Sequence, residues 1–217
     1  MLGVVDVNPP VETLRDRKKR HTRESIAAAA AALFAVEGYD GVTVADVARA
    51  ADVSEQTVYN YFPVKENLVF DRADEMIAGL LDRVRGRTAD ESVVDAVRAR
   101  GRQVADLLAS LPEGPANGGM PYLTATSPAL ARSLNDLYVR NAEMLAALLG
   151  EERGRAADAI DLRVEALALL APSHAFITEL GRRAARGEST ADAALALRSE
   201  LEAAFDALDR GLGGRPE

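Results

Sequence analysis

A run of basic side chains near the N-terminus is the part of this sequence best suited to bind anions. Between Arg15 and Arg23, six arginine and lysine residues accompany a single acidic residue, Asp16. The chain as a whole is acidic, with a net charge of -8. Because lysine and arginine release condensed counterions when they meet phosphates, the run is either a phosphate-binding arm or a solvated tail. We predict a flexible basic arm over residues 1–20. Its predicted phosphate contacts are Arg17, Lys18, Lys19 and Arg20.

A second group of side chains with recognition chemistry lies at residues 54–57. Ser54 can cap a helix, and Glu55, Gln56 and Thr57 would then occupy its first turn. Glutamine can pair with adenine through two hydrogen bonds, threonine can offer its methyl group to thymine, and glutamate can accept a hydrogen bond from cytosine. An exposed helical turn without any binding role has the same composition. The chemistry therefore depends on the elements that position these residues.

The residues that most enzyme sites need are scarce. The chain has no cysteine, and its two histidines, His21 and His174, lie too far apart in sequence for helical metal-ligand spacing. The lack of cysteine removes thiol nucleophiles and disulfides and fits a reducing compartment. No uncharged apolar stretch reaches the ~18 residues of a membrane span. We predict a cytoplasmic protein that is not an enzyme and has no metal, no cofactor and no membrane partner, although acid–base chemistry by carboxylates stays open.

The hydrophobic pattern predicts helices in the N-terminal third. Apolar residues over 26–34 follow helical spacing, with Thr22 as the predicted N-cap and Gly38 as the stop. Residues 43–46 have the form of a capping box, so Thr43 begins a second helix.

A third helix is predicted over residues 54–62, after a turn in which Asp52 adopts the left-handed conformation. Pro63 ends this helix or begins the next, a long helix that carries Lys65 in its first turn and ends before Gly86. Three short helices with a tight turn between the second and the third form a helix-turn-helix.

The segment from residue 33 to residue 68 contains the strings LFAVEGYDGVTVADVARAADVS and VSEQTVYNYFPVKENL. It closely resembles the DNA-binding domain of the TetR family of transcriptional regulators, and the match extends over residues 20–70. One departure is visible, because Ala51-Asp52 stands where the family usually has Ala-Gly. The residues at the family's spacings are Gly38, Tyr39, Thr43, Ala48, Val53, Ser54, Tyr59, Phe62, Lys65 and Glu66.

The resemblance implies an all-α protein of about nine helices. It places a helix-turn-helix DNA-binding domain at residues 21–66 and a ligand-binding and dimerisation bundle at residues 67–217. It also implies that Val58 and Phe62 pack inward. A phosphate near Lys65 would offset the unfavourable position of a cation at a helix N-terminus. The predicted DNA-binding residues of this domain are Thr43, Val44, Ser54, Glu55, Gln56, Thr57, Tyr59, Asn60, Tyr61 and Lys65.

Apolar periodicity after Gly86 predicts a helical bundle. The segment from Pro112 to Pro121 is rich in proline and glycine and is predicted to be a loop. Pro172 is expected to kink a helix or to open it locally. The predicted helical stretches are 91–111, 127–150, 155–185 and 190–212.

A cavity is expected where large or polar residues interrupt the alanine- and leucine-rich packing of the bundle. Ligand pockets are mostly apolar with a few polar groups, and methionine and aromatic side chains suit adaptable ones. We predict an apolar or aromatic small-molecule effector, although the same residues could instead fill the core. The candidate polar anchors are Tyr122, Tyr138 and His174, and the candidate walls are Met120, Met144 and Phe176.

The last predicted helix carries an apolar row that could pack against the same row of a twofold mate. The alternative is a stripe that is buried within one chain. The predicted dimer residues are Leu197, Leu201, Phe205 and Leu208.

These features favour a homodimeric regulator that binds a palindromic double-stranded DNA operator and is released by a small apolar effector. Two alternatives stay open. One is a dimeric repressor without a small-molecule effector. The other is a helical binding module whose DNA-binding motif is degenerate.

Overall fold

The computed structural model describes residues 13–111 and 118–213, with side chains up to residue 211. Within these ranges the chain folds into nine α-helices and one 3-10 helix, without a strand, and the predicted all-α fold class is confirmed. No helix in the described ranges is long and apolar enough to cross a membrane. The helices are α1 (Leu14–Glu37), α2 (Val44–Ala50), α3 (Glu55–Tyr61), the 3-10 helix (Lys65–Leu68), α4 (Ala73–Arg85), α5 (Val93–Ala109), α6 (Met120–Thr126), α7 (Pro128–Arg153), α8 (Ile160–Ala185) and α9 (Thr190–Gly213).

Helix α1 begins earlier than the sequence pattern indicated. Thr13 is its N-cap and forms a capping box with Asp16, whereas the predicted cap, Thr22, lies inside the helix. The prediction of a flexible arm is therefore wrong for residues 14–20, which are helical. Residues 1–12 of the predicted arm lie outside the described residues. A capping box satisfies two of the free N–H groups of a helix end, which is why the helix can extend through a basic and almost wholly polar run.

The short helices α2 and α3 begin at side-chain caps, as predicted. Thr43 and Asp46 form a reciprocal capping box, and the Ser54 side chain accepts a hydrogen bond from the backbone N–H of Thr57. Between the two helices Asp52 has a φ of 54°, so its predicted left-handed conformation is confirmed. Helices of seven residues are marginal by themselves. Their caps, the packing of α2 against α1 and the packing of α3 against α2 therefore maintain them.

The chain between α3 and α4 differs from the prediction of one continuous helix. Lys65 lies in the separate 3-10 helix, and α4 starts only at Ala73. The Asn67 side chain accepts a hydrogen bond from the backbone N–H of Val64, which fixes the start of the 3-10 helix. Lys65 is thus not in the first turn of α4.

Two clusters of buried apolar residues form the cores. The N-terminal cluster includes Phe34, Val58 and Phe62, and it also takes in Leu123 of α6 and Leu130 of α7. The second cluster lies among α4, α5, α7, α8 and α9. Helices α6 and α7 therefore pack against both regions of the protein.

The segment predicted to be a loop up to Pro121 already contains the start of a helix. Helix α6 begins at Met120 with Pro121 in its first turn, a position where proline is favourable because its missing N–H has no helical partner. Residues 112–117 of this segment lie outside the described residues. Gly181 of α8 allows α6 to approach, since a Cβ atom there would collide with the carbonyl oxygen of Pro121.

The apolar row on α9 is buried inside the single chain. Leu197, Leu201 and Phe205 pack against α5 and α8, and Leu208 is partly buried at the edge of the same core. A Cβ atom on Gly101 of α5 would lie 3.1 Å from the Phe205 ring, so the two helices are in close contact. The predicted dimer residues Leu197, Leu201, Phe205 and Leu208 are wrong as an interface, because the fold of one chain already covers them.

Candidate nucleic-acid interface and ligand cavity

Helix α3 has one buried face and one exposed face. Val58 is completely buried and Phe62 follows it into the N-terminal core, as the resemblance implied. On the opposite side, Gln56 and Asn60 are exposed, and 43% of the Tyr59 surface is accessible. The predicted recognition residues therefore project to one side of the domain.

Hydrogen bonds already order the exposed side chains of α3. The Ser54 Oγ atom lies 2.8 Å from Thr57 Oγ1 and accepts a bond of 3.1 Å from the backbone N–H of Thr57. The Gln56 side-chain amide donates to the side-chain oxygen of Asn60, one turn further along the helix, at 3.1 Å. Glu55 is exposed in the first turn. The exposed side chains of α3 are thus ordered by hydrogen bonds within the helix.

The basic end of α1 lies beside the C-terminal end of α3. Lys18 and Lys19 share one surface groove with Tyr61. Lys19 also shares a neighbouring groove with Arg20, Asn60 and Tyr61. The structure therefore brings the predicted phosphate-binding residues of α1 and the predicted recognition helix together on one surface. Arg17 lies on the same exposed, basic part of α1.

Arg23 has a structural position that the basic run alone did not reveal. Its guanidinium donates to the backbone oxygen of Tyr61 at 3.1 Å and to that of Asp71 at 3.0 Å. It also lies 4.5 Å above the centre of the Phe62 ring. Arg23 thus connects α1, the end of α3 and the segment before α4.

Thr43 and Val44 lie at the start of α2. The Thr43 hydroxyl donates to Asp46 Oδ2 at 2.5 Å and accepts from the Asp46 backbone N–H at 3.2 Å. The hydrogen bonds that the Asp46 carboxylate accepts from the Thr43 hydroxyl and from the Thr43 backbone N–H lower the pKa of Asp46. Thr43 is exposed, while Val44 is half-buried against the N-terminal core.

Lys65 already has partners within the domain. Its ammonium donates to the backbone oxygen of Tyr39 at 2.6 Å and lies 4.0 Å from the centre of the Tyr39 ring. Burial lowers the pKa of the Lys65 ammonium and raises the pKa of the Tyr39 hydroxyl. Lys65 thus connects the 3-10 helix to the turn after α1. A contact between Lys65 and a DNA phosphate stays a prediction.

A cavity of about 270 Å³ lies within the C-terminal bundle. Four of the six residues predicted to surround an effector line it, namely Met120, Tyr138, His174 and Phe176. The Tyr138 and His174 rings are stacked with their centres 4.5 Å apart, and the Tyr138 hydroxyl donates to the backbone oxygen of Leu167 at 2.6 Å. Burial raises the pKa of Tyr138 and lowers the pKa of His174, so both rings are neutral near pH 7.

The two other predicted cavity residues lie elsewhere. Tyr122 packs against the N-terminal core, because α6 turns that face toward the DNA-binding domain. Met144 is 39% exposed on the outside of α7. It is six residues from Tyr138, and at 3.6 residues per turn this spacing places the two side chains on different faces. Tyr122 and Met144 were wrong as cavity residues.

Several polar cavity residues were missed by the sequence reasoning. Asn141 follows Tyr138 by three positions, so helical spacing could have identified it. Ser173 is the sequence neighbour of His174, whereas Arg100 comes from α5 and carries no local signal. Within the described part of the chain, no group of three His, Asp or Glu side chains has a geometry suited to a metal ion.

Comparisons of the sequence with known proteins match part of the chain. Residues 26–71 match the bacterial regulatory proteins of the tetR family. The HTH-type transcriptional regulator TcmR from Streptomyces glaucescens is 31% identical over 91 residues, which are 42% of this chain and 40% of TcmR. The transcriptional regulator MftR from Mycobacterium tuberculosis is 32% identical over 93 residues, which are 42% of this chain and 46% of MftR. The matched part of this chain thus spans less than half the length of either curated relative.

A likeness over nearly the whole chain exists at the level of the fold. The crystal structure of a TetR-family transcriptional regulator from Mesorhizobium loti superposes with a TM-score of 0.53 at 19% sequence identity. The superposition covers 89% of this chain and 97% of that chain. At this identity the likeness concerns the fold alone.

Proposed function

We propose that this chain belongs to the tetR family of bacterial regulatory proteins and that it is a sequence-specific DNA-binding transcriptional regulator. It acts in the cytoplasm as a homodimer on a palindromic operator. It is a repressor that a small apolar effector releases from DNA. The observation that carries the proposal is the shared surface of α1 and α3.

This surface combines the two kinds of contact that DNA recognition needs. Lys18, Lys19 and Arg20 supply positive charge for the phosphates, which position a protein on DNA without reading its sequence. Gln56 and Asn60 supply amide groups for the edges of bases in the major groove. The acidic net charge of the chain does not oppose this function, because the basic run of residues 15–23 lies at the surface that meets DNA.

The cavity supports an effector rather than a bundle that serves only for dimerisation. Residues 69–72, which join the 3-10 helix to α4, form part of its wall. Arg23 joins Asp71 in this segment to Tyr61 at the end of α3. An effector that favours another position of the segment would therefore move α3. Because binding is reciprocal, operator DNA would weaken effector binding by the same factor.

A second copy of the chain covers an exposed apolar face of α8 in this proposal. Ile160 is 79% exposed and Val164, one turn later, is 58% exposed. Exposed large aliphatic side chains in one patch are typical of protein contacts. The double variant Ile160→Glu, Val164→Lys should be a monomer by light scattering, whereas Leu107→Glu, an equally exposed site on α5, should leave the mass unchanged. A dimer that persists in the double variant contradicts this interface.

Selection of operators from random double-stranded DNA tests the regulatory function. The wild-type chain should enrich a palindrome whose half-sites are about 34 Å, or a multiple of that distance, apart. Gln56→Ala should lose the preference at one position of each half-site and about 1–3 kcal/mol of operator affinity. Gln103→Ala, an exposed glutamine on α5, is the matched control and should change neither. Enrichment of no sequence by the wild type would refute the proposal.

A further inference from the structure

The cavity in the bundle has mainly apolar walls and one uncharged polar side. The inference drawn from it rests on the proposed function of the cavity as an effector site. Most of its apolar walls come from α4, α5, α7 and α8, with Met120 of α6 and Leu201 of α9, so a bound molecule would contact several helices together. Representative wall residues are Leu80, Val97, Leu137, Phe176 and Ile177.

Asn141 is the unusual member of the polar side. Its Oδ1 atom is buried and has no hydrogen-bond partner among the residues that the structure describes. Buried side-chain oxygen atoms are nearly always paired, so this one indicates a group that the described residues do not supply. Tyr138, one turn earlier on the same face of α7, cannot supply it, because its hydroxyl proton goes to the Leu167 backbone oxygen.

His174 lies next to the same site. It stacks on Tyr138 and also lines the cavity. Because burial lowers the pKa of the imidazole, His174 adds no charge near pH 7. The polar side formed by Tyr138, Asn141 and His174 is therefore neutral.

The charged residues of the cavity carry both signs, and its two arginines have other partners. Arg72 is exposed and bonds to Glu75 at 3.1 Å. The Arg100 guanidinium donates to the Gln103 side chain at 2.6 Å. Asp71 adds a negative charge to the same lining. This set offers no concentrated charge that would select an ionic ligand.

We propose that the cavity binds a neutral aromatic molecule that carries a hydroxyl group, and that Asn141 is the residue that pairs with this hydroxyl. A hydroxyl group both donates and accepts, so it satisfies the Asn141 amide in either of its two orientations. The aromatic part lies among Phe176, Tyr138 and His174. A volume of about 270 Å³ is at the small end of ligand pockets and suits a molecule of one or two rings.

Two probes of the same shape test the proposal directly. 2-Naphthol and 2-methylnaphthalene differ in a hydroxyl and a methyl group, and their dissociation constants are measured by titration calorimetry on the full chain without DNA. The wild type should bind 2-naphthol about tenfold more tightly, the effect of one satisfied hydrogen bond. Asn141→Leu, which keeps the side-chain size, should abolish this preference. Asn135→Leu, an exposed asparagine on the same helix, is the matched control and should retain it.

Each other outcome overturns the proposal. Equal binding of the two probes by the wild type would mean that water satisfies Asn141 and that no hydroxyl is recognised. A preference that survives in Asn141→Leu would remove Asn141 as the partner. Tighter binding of 2-naphthoate than of 2-naphthol would identify an anion site, and binding of neither aromatic probe would remove the ligand class. Asn141→Ala repeats the test if circular dichroism shows that the leucine variant is not folded.

The result is separable from the proposed regulatory function. Binding of 2-naphthol through Asn141 without any change in operator affinity would count against effector control and leave the ligand class intact. Release from DNA by a molecule whose binding does not need Asn141 would support effector control and count against the proposed ligand class.

Discussion

The short N-terminal helices begin at local side-chain caps, whereas the position of α9 in the bundle depends on partners that are distant along the chain. In the N-terminal region, Thr13, Thr43 and Ser54 cap their helices through bonds to residues three positions away. In the bundle, α9 packs against α5, and the Arg102–Glu202 ion pair between them joins residues 100 positions apart. Local interactions leave a local sequence signal, whereas the burial of a face of a long helix depends on a distant partner. The predictions that follow test this difference.

The largest effect is expected at Phe205, in the bundle. Phe205→Ala should lower the free energy of unfolding by about 3–5 kcal/mol, because the ring is completely buried and its removal leaves a cavity. Urea denaturation measures the loss, and light scattering should show that any dimer is retained. Leu195→Ala, at a site 62% exposed on the same helix, is the control and should stay within about 0.5 kcal/mol of the wild type. Loss of the dimer with little loss of stability would restore the apolar row of α9 as an interface.

The contrast explains how far the sequence could predict the structure. The turn at Asp52, the caps at Thr43 and Ser54, and the inward positions of Val58 and Phe62 followed from short motifs and the resemblance. The same kind of motif at Thr13 was overlooked, because the basic run after it lacks the apolar periodicity that marks most helices.

In the bundle, periodicity located the helices but did not identify the partners of their faces. An apolar stripe has the same spacing whether α5 or a second chain covers it, so the α9 row was assigned to the wrong neighbour. The cavity was predicted in part, since Tyr138 and His174 interrupt the apolar pattern. Arg100 was missed because it is brought there by tertiary packing alone.

The second prediction concerns the charge on α1. The double variant Lys18→Ala, Lys19→Ala should reduce the slope of log affinity against log salt concentration by about 2, because two phosphate contacts are lost. Affinity for operator and for random DNA should fall alike, which fluorescence anisotropy at several salt concentrations measures. Arg198→Ala with Arg210→Ala removes two exposed charges from α9 and is the control. An unchanged slope would make the basic end of α1 a solvated surface.

A smaller effect is expected from the pH dependence of stability at His174. Burial lowers the folded-state pKa of this imidazole below 6.5. At a pH between the lowered folded-state pKa and 6.5, the unfolded chain binds a proton that the folded chain does not. Stability therefore falls as the pH drops below about 6.5. His174→Gln should reduce the loss of unfolding free energy between pH 7 and pH 5, measured by urea denaturation. The same pH dependence in His174→Gln as in the wild type would contradict the burial of this ring.

The smallest effect is expected at Asp52, where a local backbone conformation is the only determinant. Its φ of 54° lies in the left-handed region, which costs an ordinary L-residue about 1–2 kcal/mol and aspartate less. Asp52→Gly should therefore be within about 0.5 kcal/mol of the wild type, because relief of this strain is offset by the greater freedom of glycine in the unfolded chain. Asp52→Ala should be about 1 kcal/mol less stable than Asp52→Gly, and Asp52→Asn, which also tolerates the left-handed region, separates conformation from charge. Guanidinium denaturation measures all three, and equal stability of the glycine and alanine variants would show that the turn is positioned by its tertiary contacts, as the bundle helices are, rather than by its own residues.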